Sequence, residues 1–103
     1  MDGVYAITVE VLPTEETFHV HGGAYINVFT TDSTEAAALA TARREVTDAG
    51  WAVKAVTNVT WVTRRDYADN PTGLEYFEQA LIDGVVLVVH GYPPDSGEQH
   101  VAH

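Results

Sequence analysis

The order of local patterns along the chain is the feature that most constrains its fold. Two segments have helical periodicity, and each is followed by a glycine, Gly50 or Gly84, a residue that commonly ends helices. The other apolar segments alternate with polar residues or are rich in β-branched residues, as is typical of strands. The pattern therefore predicts two strands, a helix, a strand, a helix and a last strand, which is the order ββαβαβ.

Four segments are predicted to be strands. Residues 4–12 alternate apolar and polar side chains, and together with residues 24–30 they predict an antiparallel hairpin with a long loop. Residues 51–63 are longer than an average strand, which predicts a bulge near Thr57. Residues 85–89 are all apolar, and this predicts a central strand covered on two sides or a strand within a parallel pair.

Each predicted helix has a signal at its start. Asp32 is followed three residues later by Glu35, a spacing that resembles a capping box and predicts a first helix over residues 33–49. Asn70 precedes Pro71, which predicts an asparagine cap with proline in the first turn of the second helix. Both helices should therefore begin close to these signals.

These elements predict one α+β domain over residues 1–93, followed by a flexible C-terminal tail over residues 94–103. The expected architecture is a two-layer sandwich in which a four- or five-stranded mixed sheet carries both helices on one face. It resembles a variant of the ferredoxin-like arrangement. The resemblance is of architecture alone, and such folds host many functions, so the fold does not select one.

Composition limits the class of protein. The chain has 103 residues, of which 46% are hydrophobic and 19% charged, and this balance is typical of a globular domain. The longest apolar run is far shorter than the roughly 20 residues that span a membrane. The chain has no cysteine, which excludes disulfides and thiolate metal sites and fits a reducing compartment. Because the start also lacks the basic segment of a signal peptide, we expect a cytoplasmic protein.

The charges are unevenly distributed along the chain. All five basic residues lie between positions 43 and 65, whereas most of the 15 acidic residues lie on either side, and the net charge is −10. Such a field repels polyanions, so we expect no direct binding to nucleic acid and a basic protein as the partner. In a weaker alternative, the basic segment of one copy meets the acidic flanks of another and the chain self-associates.

The predicted partner-binding surface lies on and just before the second helix. Its outer side carries Ile82 among acidic side chains, and an apolar anchor within a charged rim is a common design for interfaces. In the alternative, Ile82 packs under a neighbouring loop and the acidic residues only maintain solubility. We call the predicted set the acidic surface, and it consists of Asp66, Asp69, Glu75, Glu78, Ile82 and Asp83.

A second candidate site is built on histidines. His19 and His21 are two residues apart, so on an extended segment both side chains point the same way and could bind one metal ion. A zinc site needs three or four ligands, and the third would have to be His90, Glu15 or Glu16. The alternative is a pair of surface histidines without a ligand.

No pattern in the chain supports catalysis. A Gly-x-Ser-x-Gly motif and a phosphate-binding loop are both missing from the sequence, so we expect neither an enzyme nor a cofactor. The main expectation is a small acidic interaction module, an inhibitor, immunity-type or anti-defence protein that covers a basic protein surface. The alternative function is a homodimeric domain that binds a small molecule or a metal through His19, His21 and His90.

Overall fold

The computed structural model describes residues 3–14 and 23–92 of the chain. These residues form an α+β domain with a four-stranded antiparallel sheet and two α-helices. In chain order the elements are β1 (Gly3–Pro13), β2 (Gly23–Thr30), α1 (Glu35–Asp48), β3 (Trp51–Thr63), a 3-10 helix (Arg64–Tyr67), α2 (Pro71–Asp83) and β4 (Val85–Tyr92). The predicted order ββαβαβ is confirmed, whereas the predicted tail lies outside the described residues.

The sheet has the strand order β3-β1-β2-β4, and every neighbouring pair is antiparallel. The predicted β1–β2 hairpin pairing is confirmed, with Val9 opposite Ile26. The predicted mixed sheet is wrong, because β4 lies at an edge and runs antiparallel to β2. The apolar side chains of β4 point to both faces of the sheet. Val85 and Leu87 pack against one buried cluster and Val86 and Val88 against the other, although β4 is neither central nor parallel to a neighbour.

The pairing of β1 with β3 contains two irregularities. One register shift leaves Thr57 as an additional residue of β3, which confirms the predicted bulge. A second shift, at Lys54, was not predicted. Bulges increase the local twist of a strand and interrupt its ladder of hydrogen bonds. The β3 edge is therefore irregular along its middle.

The two helices pack against opposite faces of the sheet. Ile7 and Val9 of β1 lie in a buried cluster with Ala42 of α1, whereas Val4 of β1 lies in a separate cluster with Phe77 of α2. Side chains at odd and even positions of a strand point to opposite faces. The predicted two-layer sandwich with both helices on one face is therefore wrong.

The connection from β3 through α2 to β4 explains why the two helices lie on opposite faces. β1 is antiparallel to both β2 and β3, and β4 is antiparallel to β2, so β3 and β4 run in opposite directions. The rule of right-handed crossover applies to strands that are parallel, and it therefore governs the β2–α1–β3 unit but not the β3–α2–β4 unit. The strand order does not confirm the ferredoxin-like variant.

The start of α1 differs from the predicted one. Thr34 is the cap, and its hydroxyl accepts a hydrogen bond from the backbone N–H of Ala37 at 3.1 Å. Asp32 does not cap the helix, because its carboxylate accepts a hydrogen bond from the Thr30 hydroxyl at 2.6 Å. The helix consequently begins two residues later than the sequence indicated.

Both ends of α2 agree with the sequence signals. The side-chain oxygen of Asn70 accepts a hydrogen bond from the backbone N–H of Gly73 at 2.9 Å, and Pro71 occupies the first turn. Gly84 follows the helix with a φ of 89°, a conformation that glycine adopts without steric cost. Neither α1 nor α2 has the length and apolar character that a membrane-crossing helix requires.

Candidate functional site

α2 lies across one end of the sheet. β3 ends with Thr63 opposite Gly3, and β4 begins with Val85 opposite Thr30, so both connections to α2 are at the same end. The buried cluster of α2 contains residues from this end of the strands, such as Phe29, and none from the other end. As a result, α2 covers only half of its face of the sheet.

The other half of this face carries exposed side chains. Leu12 is 43% exposed and Tyr25 is 44% exposed, and His90 lies opposite Tyr25 on β4. At the middle of the face, the Thr8 hydroxyl donates a hydrogen bond to the side-chain oxygen of Asn27 at 2.9 Å. Among the described residues, this open half combines apolar, aromatic and hydrogen-bonding groups.

A cleft of about 290 Å³ lies where α2 meets the open half of the face. Its aromatic wall is a group of rings in mutual contact, with the Phe29 centroid 6.3 Å from that of Tyr67 and 6.1 Å from that of Tyr76. Its volume is at the lower end of the range for small-molecule sites. The lining residues are Ala6, Asn27, Phe29, Tyr67, Asn70, Thr72, Gly73 and Tyr76.

The chemistry of this cleft is that of a neutral binding site. None of its lining residues is charged at neutral pH, and none is a histidine or a carboxylate that could act as a general base. Amide and hydroxyl groups with an aromatic wall can hold a small neutral polar molecule. The sequence did not indicate the cleft, because its lining comes from β1, β2, the 3-10 helix and the region of α2, and so has no local spacing.

Tyr67 is the titratable group of the cleft with a shifted pKa. Burial raises the pKa of its hydroxyl above the ordinary value of 10.0, and the nearby carboxylate of Asp66 raises it further. Both effects disfavour the phenolate, because a buried charge loses hydration and is repelled by a like charge. The folded protein therefore keeps this proton to a higher pH than the unfolded chain does.

This shift predicts a contribution of Tyr67 to stability that is lost in alkali. The contribution is fully present below the unfolded pKa of about 10 and decreases as the pH rises toward the folded pKa. In Tyr67→Phe, the free energy of unfolding should fall less steeply above pH 10 than in the wild type. Urea denaturation at a series of alkaline pH values measures both slopes, and equal slopes would contradict the assignment.

The structure exposes five of the six members of the acidic surface. Ile82 is 76% exposed, which excludes its packing under a neighbouring loop. Glu75 and Asp83 are exposed on α2, and Asp66 and Asp69 are exposed before the helix. Binding of a partner by these side chains stays a prediction.

Three members make contacts within the chain. Asp83 accepts a hydrogen bond from the Gln79 side chain within α2. Glu78 forms an ion pair with Arg64, whose guanidinium also lies 5.3 Å from the centre of the Phe77 ring. Asp66 accepts a hydrogen bond from the backbone N–H of Thr63 at 2.7 Å and so caps the 3-10 helix. The sequence analysis missed the role of Arg64, because the ion pair depends on how the 3-10 helix turns the chain toward α2.

The basic segment is partly neutralised inside the same chain. Lys54 on β3 pairs with Glu10 on β1 at 3.3 Å, in addition to the Arg64–Glu78 pair. Both pairs are solvent-exposed, so each contributes at most about 1 kcal/mol to stability. A third pair joins Arg44 and Glu45 within α1 at 3.6 Å. The main effect of these pairs is on the surface charge, since three of the five basic side chains already have acidic partners.

The predicted metal site is only partly within the residues that the structure describes. His19 and His21 lie outside the described residues, and His90 is exposed on β4. Within residues 3–14 and 23–92, no group of three or more histidines and carboxylates is placed to hold a metal ion. Metal binding by His19 and His21 therefore stays a prediction.

Known proteins do not add to this description of the site. Comparisons of the chain with protein-family models, with curated proteins and with solved structures found no match. The function must therefore be inferred from the exposed side chains of α2 and from the cleft beside that helix.

Proposed function

We propose that this protein is a small non-catalytic interaction module whose acidic surface binds a basic surface of another protein. In this role it would act as an inhibitor, an immunity-type or an anti-defence protein, in the cytoplasm. The observation that carries the proposal is the 76% exposure of Ile82 on the outer side of α2. An exposed isoleucine surrounded by acidic side chains is an anchor that a partner can bury.

The helical geometry of α2 places charged groups around this anchor. Side chains three and four positions apart are neighbours on a helix, so Glu78 and Gln79 adjoin Ile82 on the preceding turn. Asp83 follows directly and accepts a hydrogen bond from Gln79. This contact orders the Asp83 carboxylate at the rim of the anchor, where a lysine or arginine of the partner could reach it.

The free energies of the expected contacts differ between Ile82 and the acidic side chains around it. Complete burial of an isoleucine side chain contributes about 1.5–3 kcal/mol, whereas each exposed ion pair contributes at most about 1 kcal/mol. The net charge of −10 acts at longer range and accelerates encounter with a basic protein. Ile82 should therefore be the largest single contribution to affinity, whereas the charges together set the association rate and the dependence of binding on salt.

The proposal is tested by affinity capture with the immobilised protein at low salt and at about 0.5 M NaCl, where exposed charges are strongly screened. A basic protein should be retained at low salt and released at high salt. For the purified partner, Ile82→Ala should raise Kd about 10- to 30-fold, which corresponds to about 1.4–2 kcal/mol.

Two matched controls accompany this measurement. Asp83→Asn and Asp48→Asn remove the same charge from the last residue of α2 and of α1, respectively. Only Asp83→Asn should slow association substantially. Leu12→Ala removes an exposed apolar side chain from β1 and should leave Kd unchanged. A partner that tolerates Ile82→Ala, or that responds equally to both charge variants, would overturn the proposal.

The cleft favours a second candidate, which is binding of a small molecule by a homodimer. His90 lies on the same face of the sheet as the cleft, and His19 and His21 would complete the metal-binding form of this function. Metal analysis of the purified protein, with a zinc titration of wild type and His21→Ala, separates the two candidates. If the protein binds no metal and His21→Ala leaves its stability unchanged, the metal-binding version of this function is excluded.

A further inference from the structure

The two edges of the sheet have very different properties. The β3 edge has 13 residues, two register shifts and a lysine, Lys54. The β4 edge has eight residues in an uninterrupted register with β2, and none of them is a lysine, an arginine, an acidic residue or a proline. Natural edge strands usually carry bulges, lysine or proline that prevent pairing with another strand. β4 lacks these protections, and within the described part of the chain its only strand neighbour is β2.

We propose that β4 pairs antiparallel with β4 of a second copy of this chain, so that the two sheets join into one eight-stranded sheet. Such a dimer has a two-fold axis perpendicular to the sheet, and the same patch serves both copies. The inference concerns β4, which lies outside the acidic surface of the main proposal, so either can fail without the other. A homodimer is also what the second candidate function requires.

The sequence of β4 matches this symmetry. Residues 85–89 read Val-Val-Leu-Val-Val in both directions, with Leu87 at the centre. Directly opposite residues of paired strands point to the same face of the sheet. A two-fold axis perpendicular to the sheet leaves each side chain on the face it had, so only residues separated by an even number of positions can lie opposite each other. The residue at the axis therefore lies opposite its own copy. With Leu87 at the axis, Val85 lies opposite Val89 of the second copy, and every apolar residue of the run meets another.

Other registers are less favourable. An axis at Val88 would place the polar ring of His90 opposite Val86 of the second copy. An axis at Val86 would place Val89 opposite Asp83 and so bring a carboxylate against an apolar side chain. The Leu87 register avoids both mismatches, because it places His90 opposite Gly84, which has no side chain.

Burial and charge also favour a second copy of the chain as the partner of the β4 edge. Val89 is 44% exposed and residues 85–88 are only partly buried, so both faces of β4 have apolar area left to cover. The chain carries a net charge of −10, yet β4 contains no acidic residue, which limits the repulsion between two copies that meet there. Pairing would also satisfy backbone groups on the open side of β4.

The chain's own last residues are a poorer occupant. Residues 93–103 follow β4 directly and begin with two prolines, which lack the N–H that a strand ladder requires. Only Val101 among them is a large aliphatic residue. A strand formed by this segment would leave most apolar side chains of β4 next to polar ones, whereas a second β4 matches them.

Sedimentation equilibrium of the full-length chain tests the proposal. The wild type should have twice the mass of one chain, and the dimer should persist or strengthen at about 0.5 M NaCl because salt screens the repulsion between the copies. Val89→Lys should sediment as a monomer, since it places a charge in each half of the apolar contact. Leu12→Lys, which introduces the same charge at a residue of equal exposure on β1, should remain a dimer.

Cysteine cross-linking gives a second measurement, because the chain has no cysteine of its own. Directly opposite Cβ atoms in an antiparallel pair are about 4.5–5.5 Å apart, so Leu87→Cys should join two copies on mild oxidation or with a short bis-maleimide. Trp61→Cys on the β3 edge should not. Circular dichroism of each variant confirms that it is folded before its mass is interpreted.

Three results would overturn the proposal. The first is a wild type that stays monomeric at all concentrations, and removal of residues 93–103 would then show whether the tail covers the edge. The second is a dimer that survives Val89→Lys, and the third is a dimer that Leu87→Cys fails to cross-link. The proposed function is judged separately, since partner binding is lost at high salt whereas the dimer is not.

Discussion

Phe77→Ala should lower the free energy of unfolding by about 3–5 kcal/mol, which is a large share of the roughly 5–15 kcal/mol that stabilises a typical domain. Phe77 is the largest fully buried side chain among the described residues, and it lies in the α2 cluster with Val4, Phe29 and Val62. Its removal leaves a cavity between α2 and the sheet, and a cavity adds to the loss of apolar burial.

The effect of Phe77→Ala should extend beyond this cavity. The Tyr67 ring lies 6.0 Å from the Phe77 ring, and the Arg64 guanidinium lies over it. Loss of the ring removes a contact of the 3-10 helix and loosens the base of the acidic surface. We therefore expect weaker partner binding in addition to lower stability.

Urea denaturation followed by circular dichroism measures the loss for Phe77→Ala. Phe77→Leu is the matched control, because it keeps most of the apolar volume and should cost clearly less than the alanine variant. If Phe77→Ala cost less than about 1 kcal/mol, as a surface substitution does, α2 could not be packed on the sheet through this residue.

Ile26→Ala should cost about 2–5 kcal/mol. Ile26 is fully buried on β2, with Val9 opposite it on β1 and Val89 opposite it on β4, and it faces the cluster of α1. The cost depends on how far the neighbouring side chains can move into the space. Because strands on both sides hold the backbone of β2, this collapse should be limited.

Ile82→Ala is the control for Ile26→Ala, since it deletes the same atoms from an exposed position. Its effect on the free energy of unfolding should stay within about 0.5 kcal/mol. The same pair of variants separates stability from binding, because Ile82→Ala should weaken the partner complex in a protein that remains fully folded. Similar losses of stability in both variants would contradict the described burial.

Local signals in the sequence were sufficient to predict the two α-helices and the four strands. Asn70 with Pro71 marked the start of α2, Gly84 its end, and the length of the third strand its bulge at Thr57. Each of these signals determines the backbone conformation of residues close to it in the sequence. The start of α1 was misjudged because Asp32 and Thr34 are both good caps, and the choice depends on the hydrogen bond that Thr30 donates to Asp32.

The arrangement of the elements was harder to predict because it depends on contacts between distant residues. The direction of β4 is set by its pairing with β2, and this pairing decides which face α2 covers. A signal was present, since residues 85–89 are apolar on both faces and indicated cover from two sides. The prediction of both helices on one face did not agree with this indication.

The acidic surface was predictable as a set of exposed residues but not as a distribution of charge. Exposure of Ile82, Glu75 and Asp83 follows from their position on the outer side of α2. The pairing of Glu78 with Arg64 depends on the 3-10 helix, which no local pattern indicated. The cleft was not predicted for a related reason, because its walls come from four elements, β1, β2, the 3-10 helix and α2.

The two buried clusters on opposite faces share only the sheet between them, and this has a consequence for hydrogen exchange. Local opening of α2 exposes the cluster around Phe77 without exposing the cluster under α1, and opening of α1 does the reverse. β1 has a paired strand on each side, so its ladder survives either event. The amide protons of β1 should therefore report global unfolding, whereas those of each helix report an opening of their own.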